Sequence, residues 1–597
     1  MINGPQALTY TSFRIAVSQS SSLRKLDMTI WNFLRSVADS LLGSSSSSAP
    51  SKAQKKKQKK KSQSPKTGSK ERVARKSSPP SEPMTTSVRA KDRSPQAKSV
   101  PKSAPPPSQP ATEQAVVPGA CTPFTAAVVD SAGIRCRCTP EIPDIDDADL
   151  FIDLGIDFGT RYTKVCFRDS DNNRTRIVTF DQGMANLGQA LVPSQLALLE
   201  GGAILTGLTA QEWENSQWPV TKTLEFIKMR LAALDVPQDE TTWLPAVKEL
   251  DGTETIENLS AYFLSRLIAR SRNWIQTTYP DLFKERSVAW VLKVGAPVEY
   301  WRGPAIDRFE YVLKLAWALS FTPLVRGADM VTLPQLSQCM GRVREWVKQN
   351  PEMDCSAKPE IAGAVWSHIR AAGSKEGFFV FFDVGEGTTE GASFRFYRDS
   401  GENKIAFYSG FVRPLGVAAL THQLSQELDI SFKAAREKML TWKGATHSRN
   451  DTSLHGSKTR RQLQRLVGTV VFRGCNLYQK IRPHMWEEEI GPKLGIFMGG
   501  GGGQIPFYRD AIVSTHADFN HQSADINPYD LRPMPVPKDL SMRNLGAGVF
   551  NRFAIAYGLS IADGEFPEFE FPSEEDAPSP RHNHSDPMDY DDTKDAC

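Results

Sequence analysis

The sequence predicts an α/β protein of two similar lobes. A buried strand ending in aspartate at a glycine turn occurs twice, an alternating antiparallel hairpin follows each copy, and helical stretches lie between and after them. The first copy is the apolar run Leu150–Ile156 ending in Asp157, then the turn Phe158-Gly159-Thr160 and the alternating segment Tyr162–Arg168. A turn at Asp169–Asn173 and a third strand at Arg176–Phe180 complete it. The second copy is Phe378–Phe382 ending in Asp383, the turn Gly385-Glu386-Gly387-Thr388, the alternating segment Gly391–Arg398, a turn at Asp399–Asn403 and a strand at Ile405–Phe411. Chance accounts for one such pattern. Two, with aspartate at the same point, indicate one plan used twice.

A strand that ends in Asp-x-Gly has a physical use. Glycines let backbone N–H groups come close to an anion, and the hairpin forms a small nest for it. The aspartate itself repels phosphate but suits Mg²⁺, which takes one or two carboxylates together with phosphate oxygens and water. Asp157 and Asp383, on facing hairpins, meet that requirement. The third element is the buried strand Leu494–Met498, followed by five glycines, Gly499–Gly503, and then Gln504-Ile505-Pro506. Such a run is entropically costly, and a backbone surface pressed against a ligand justifies it. Pro506 fits the first turn of a helix, whose N-terminus favours negative charge. No GxxxxGK[ST] occurs, which excludes a P-loop, and Gly385-Glu386-Gly387 precedes a strand rather than a helix, which excludes a dinucleotide fingerprint.

The rest of the chain sets bounds. Its 597 residues, 40% hydrophobic and 23% charged, are ordinary for a globular protein. Residues 1–100 carry 20 Lys/Arg against 5 Asp/Glu, so the net charge of +4 hides a basic front and a mildly acidic remainder. Apolar residues at Ile30, Phe33, Leu34, Val37 and Leu41 mark an amphipathic helix over 26–42. The lysine tract Lys55–Lys61 and a Pro/Ser/Lys-rich stretch follow, a composition expected to be disordered. That arm fits a solvated tail, an anionic membrane surface, or nucleic acid or nuclear import. The Ser-rich start, with Arg14, Arg24 and Lys25 ahead of the first acid, shares its composition with organelle transit peptides. No apolar run is long enough to span a membrane, and eight scattered cysteines suit reduced thiols better than a zinc site. The expected location is cytoplasmic, with nuclear or organellar import left open. Residues 563–597 read as an acidic, disordered tail.

At these motifs the chain resembles the actin-like ATPase superfamily, and specifically the nucleotide-binding domain of DnaK-type heat-shock chaperones. Ile156–Tyr162 is similar to that family's phosphate-one motif, Asp383–Glu390 to phosphate-two and Met498–Pro506 to the adenosine motif. Weaker similarity lies at Leu191–Ser194, Val291–Pro297 and Arg552–Ser560. The resemblance implies a duplicated ribonuclease-H-like (actin-like) fold, with 146–376 as lobe one, 377–540 as lobe two and 541–562 as a closing helix. It implies ATP or ADP with Mg²⁺ between the lobes, the metal on Asp157 and Asp383. The nucleotide would meet Gly159, Thr160, Arg161, Tyr162 and Lys164 of the first hairpin, Gly385, Gly387 and Thr388 of the second, and Gly500, Gly501, Gly502 and Gln504 of the third loop. Lys228, Asp383 and Glu390 fall where the family places catalytic groups.

Three departures accompany the resemblance. The family's catalytic Glu-Pro motif is Lys358-Pro359-Glu360 here, its adenine-stacking arginine is Gln504, and the residues after Ala562 are too few for a peptide-binding domain. The function so implied is a slowly hydrolysing, DnaK-like switch acting with an unidentified protein partner or client. A non-hydrolysing ATP-binding scaffold, a filament-forming protein and a small-molecule kinase are the alternatives.

Overall fold

A computed structural model describes residues 125–128 and, with short gaps, 138–571. The chain divides into Met1–Val117 and Pro118–Cys597, and every described residue falls in the second unit. The helix expected at 26–42 and the Lys55–Lys61 tract lie outside the described residues.

Three sheets and the helices around them make a mixed α/β protein. The first large sheet is built from β1 (Leu150–Phe158), β2 (Tyr162–Asp169), β3 (Arg174–Ile177), β4 (Val288–Ala296) and β5 (Cys355–Pro359). Its order is β5-β4-β1-β2-β3, with β1 to β3 antiparallel and β4 and β5 parallel to β1. The second is built from β6 (Gly377–Val384), β7 (Thr389–Asp399), β8 (Glu402–Arg413), β9 (Leu494–Gly499) and β10 (Tyr529–Arg532). Its order is β10-β9-β6-β7-β8, with the same pattern of directions. The two hairpin patterns read from sequence are therefore two sheets of one topology. The small third sheet joins Thr125–Val128, Asp329–Thr332, Ala203–Thr206, Leu196–Leu199 and Val220–Leu224.

Helices α1 (Ile227–Ala232), α2 (Thr253–Thr278) and α3 (Pro304–Ser320) cover the first sheet's side, and α4 (Glu360–Ala372) follows β5 directly. Helices α5 (Val417–Glu427), α6 (Lys458–Ile481) and α7 (Pro506–Asp518) belong with the second sheet. Near the end of the described residues lies α8 (Ala554–Leu559). One apolar cluster ties the sheets together. It joins Cys166 and Ile177 of the first sheet, Ile361, Val365 and Ile369 of α4, Phe381, Phe394 and Phe497 of the second sheet, and Ala556 and Leu559 of α8. Helices α4 and α8 cross where Gly363 meets Gly558, and Gly155 of β1 lies under the Ala556 carbonyl. A Cβ at Gly155 or Gly558 would overlap backbone, which cannot move aside as a side-chain tip can.

Two boundaries differ from the sequence reading. Leu540–Ser541, expected at the edge of the second lobe, pairs with Thr175–Arg176 of the first sheet. Part of the stretch read as a disordered tail is ordered: Glu568–Glu570 pairs in parallel with Lys404–Ala406 of β8. Phe566, Phe569 and Phe571 supply the apolar contacts that hold it, with Phe571 stacked on Phe407 at 5.2 Å. Similarly, Cys138 is buried although it precedes the expected start of the body. Among the described residues no helix is long and apolar enough to cross a membrane.

Gly558→Ala is expected to destabilise the protein by about 1–3 kcal/mol, the usual range for overpacking. Chemical denaturation measures it, and a midpoint unchanged from wild type would contradict the close crossing of α4 and α8.

Candidate functional site

The ends of β1 and β6 carry the two aspartates. Asp157 is 3% exposed and accepts a hydrogen bond from Lys164 Nζ at 2.7 Å. The seven-residue spacing has a simple cause: Asp157 and Lys164 are register partners across the first hairpin. Asp383 and Glu390 are register partners across the second, at the same spacing. Where the first copy opposes its aspartate with a cation, the second opposes it with another acid.

Asp383 is correspondingly short of compensation. Its Oδ1 is buried without a hydrogen-bond partner. Burial, with Asp157 and Glu360 adding repulsion against the pull of Lys164 and Lys228, pushes its carboxyl up to about 7. The two sheets thus place these residues, 226 positions apart in the chain, within electrostatic reach of each other.

Two more buried groups complete the cluster. Lys228 on α1 forms an ion pair with Glu360, the first residue of α4. Burial opposes the charge on Lys228, but Glu360, Asp157 and Glu390 outweigh it and hold the ammonium above its ordinary pKa. Burial and Asp157 push the Glu360 carboxyl up, against Lys228 and Lys164. Glu360 fits because Gly295, opposite on β4, leaves room for it: a Cβ there would lie 3.1 Å from Oε1. Glu360 was not among the site residues expected from sequence. In the family's Glu-Pro motif the glutamate is displaced or replaced by lysine here, and Lys358 points toward Asp563 at 3.3 Å.

The turns around the cluster are backbone cradles. Gly159 N–H donates to the Asp157 carbonyl at 2.9 Å, and Ser194 Oγ donates to the Gly159 carbonyl at 2.6 Å. Gly385 N–H donates to the Thr388 carbonyl at 2.9 Å. The carbonyls of Gly385, Glu386 and Gly387 accept from Val417, Ala418 and Gly416, so the start of α5 holds the second turn. In the third loop, Gly500 has φ of +72°, and a Cβ would come within 2.8 Å of Asp383 Oδ1 at Gly499 and 2.9 Å at Gly500. These glycines let the loop lie directly against the orphan carboxylate oxygen. Gly502 is similarly closed off by Val384 and Val417. Pro506 opens α7 as expected.

The other expected residues fall around this centre with differing partners. Thr160 is buried and Thr388 half-buried, each in its turn. Arg161 donates to Glu225 Oε1 at 2.8 Å and lies over the Tyr162 ring. Glu386 is held by Arg436 at 2.8 Å. Burial works against its ionisation, yet Arg436, Arg161 and Arg552 keep its carboxyl below the usual range. Gln504 is exposed, and Gly501 faces the Arg552 guanidinium.

Among the described residues no group of three or more His, Cys, Asp or Glu forms a cage for a metal ion. Two carboxylates, one with an orphan buried oxygen, beside glycine cradles suit a cation that shares its coordination with phosphate and water. A scan against protein-family models finds no match, and a search of curated proteins finds none of significance.

Because folding raises the Asp383 pKa, the folded state binds more protons than the unfolded chain between the ordinary carboxylate range and about pH 7. Its contribution to stability therefore falls as pH rises through that window. In metal-free, nucleotide-free protein, Asp383→Asn is expected to flatten the decline and stabilise the protein at pH 8 by on the order of 2 kcal/mol. Denaturant titrations from pH 5 to 8 check this, and parallel profiles for the two proteins would contradict it.

Proposed function

We propose that the chain is an actin-like ATPase of the DnaK-like kind, with a duplicated ribonuclease-H-like fold that binds Mg-ATP between its two large sheets and hydrolyses it slowly. The observation that carries this reading is the orphan, buried Oδ1 of Asp383 against the glycine loop, with Asp157 of the other sheet acting on it electrostatically. The matching strand order of the two sheets supports the fold assignment.

Phosphoryl transfer to water depends on positioning and charge neutralisation more than on covalent chemistry. Asp157 and Asp383 would hold the magnesium ion, which when bound offsets phosphate charge and the mutual repulsion of the two carboxylates. Lys164 and Lys228 bring positive charge to the same place, and turn amides other than those of Gly159 and Gly385, which donate within their turns, would orient the phosphates. Glu360 serves as the proton acceptor: its raised pKa and its pairing with Lys228 suit a base for an attacking water. As the water oxygen bonds to the terminal phosphorus, the bond to the ADP oxygen breaks and the water proton passes to Glu360.

One observation favours a second reading. Glu360 is already engaged by Lys228, and a base locked in an ion pair fits a switch that binds ATP without cleaving it.

Three measurements separate these readings. Mg-ATP at 100 times its dissociation constant is expected to stabilise the protein by roughly 2.7 kcal/mol. Phosphate release is expected from wild type and to be lost in Asp383→Ala; equal rates would contradict the ATPase reading. Glu360→Gln is expected to slow release about 100-fold or more while ATP still binds. Stabilisation by ATP without phosphate release from wild type would favour the switch.

A further inference from the structure

Arg552 is the last residue of the 3₁₀ turn Ala547–Arg552, just ahead of α8. Its neighbour fixes its place. The Asn551 carbonyl accepts from Gly500 N–H at 3.3 Å, and Asn551 Nδ2 donates to the Gly500 carbonyl at 2.8 Å. Asn551 thus clamps the glycine loop, and the guanidinium of Arg552 comes to rest on the next glycine. A Cβ at Gly501 would stand 3.1 Å from Arg552 Nη1.

Burial outweighs the favourable electrostatics around this cation. Tyr162, at the start of β2, and Glu386 of the second turn both favour its charge. Glu386, however, is taken by Arg436, with bonds of 2.8 and 3.4 Å. Arg161, the third guanidinium that Glu386 acts on, is paired with Glu225 at 2.8 Å. Three guanidinium groups therefore meet two carboxylates. Arg552 is the one of the three with no hydrogen bond or ion pair to any described residue. Burial disfavours its charge and lowers its pKa, which adds to the cost of leaving it unmatched.

We propose that Arg552 is a phosphate-binding residue, reaching across the glycine loop to receive the anionic chain of the nucleotide. The proposal rests on the ATP reading above and adds to it a ligand contact from the C-terminal segment. A guanidinium presents a planar fork of donors that matches phosphate oxygens, and it carries no sequence signal of its own beside a glycine run. The ligand class is a polyphosphate ester; a nucleoside without phosphate gains nothing from this residue.

Calorimetric titration of wild type and Arg552→Gln with Mg-ATP and with adenosine tests it, with ligand-free melting curves run alongside. Expected is a loss of about tenfold to a hundredfold in Mg-ATP affinity for the variant, and equal adenosine affinity in both proteins. Unchanged Mg-ATP affinity in the variant, or an equal loss for adenosine, overturns the role of Arg552 while leaving ATP binding by wild type intact. Failure of wild type to bind Mg-ATP at all overturns the ATP reading and the proposal together. Where the variant melts early, wild-type protein decides: phenylglyoxal modification of Arg552, mapped by peptide mass, should be blocked by Mg-ATP and not by adenosine. Equal modification with and without Mg-ATP overturns the proposal.

Discussion

The constraint on which the site depends is the burial of too many carboxylates in one place. Asp157, Asp383 and Glu360 act on one another, with Lys164 and Lys228 opposing their repulsion, and Glu390 adds its charge at Lys228. Lys164 is tied to Asp157 and Lys228 to Glu360, so Asp383 is left with a raised pKa and an orphan oxygen. A fold selected for stability alone has little reason to keep such a cluster. Clusters of this kind, where desolvation and like charges act together, are characteristic of functional sites.

The surrounding architecture serves to hold that cluster in place. Two sheets of the same order each deliver one aspartate from the end of a central strand. Helices α4 and α8, pressed together at Gly363 and Gly558, form the apolar joint between them. Helix α4 starts at Glu360, so the joint and the site share one element. Any rotation of one sheet against the other would pass through this joint and move Glu360 relative to Asp383. That is a physical route by which ligand and shape could be coupled.

Much of this was legible in the sequence. The hairpins showed because alternation, a terminal aspartate and glycine turns are local signals, and the observed strands lie within a few residues of the expected ones. Lys164 was named through the family resemblance, and the structure gives its spacing a cause: it pairs with Asp157 across the hairpin. Glu360 was missed because its role depends on pairing with Lys228, 132 positions earlier, which no local pattern announces. The motif Lys358-Pro359-Glu360 left open whether the glutamate is displaced or replaced. The strand Glu568–Glu570 was hidden by its acidic neighbours, although the phenylalanines at 566, 569 and 571 were a visible sign of burial. Arg552 opens a stretch similar to the family's closing helix, but nothing local marks its role, since its environment is assembled from three separate loops.

The most direct test of the central claim is a crystal structure with Mg²⁺ and a non-hydrolysable ATP analogue. Expected is metal density bridging the phosphate chain and the Asp157 and Asp383 carboxylates, with the Gly499–Gly503 loop along the ligand. A nucleotide bound elsewhere, or a crevice filled only by solvent at saturating analogue, would contradict it.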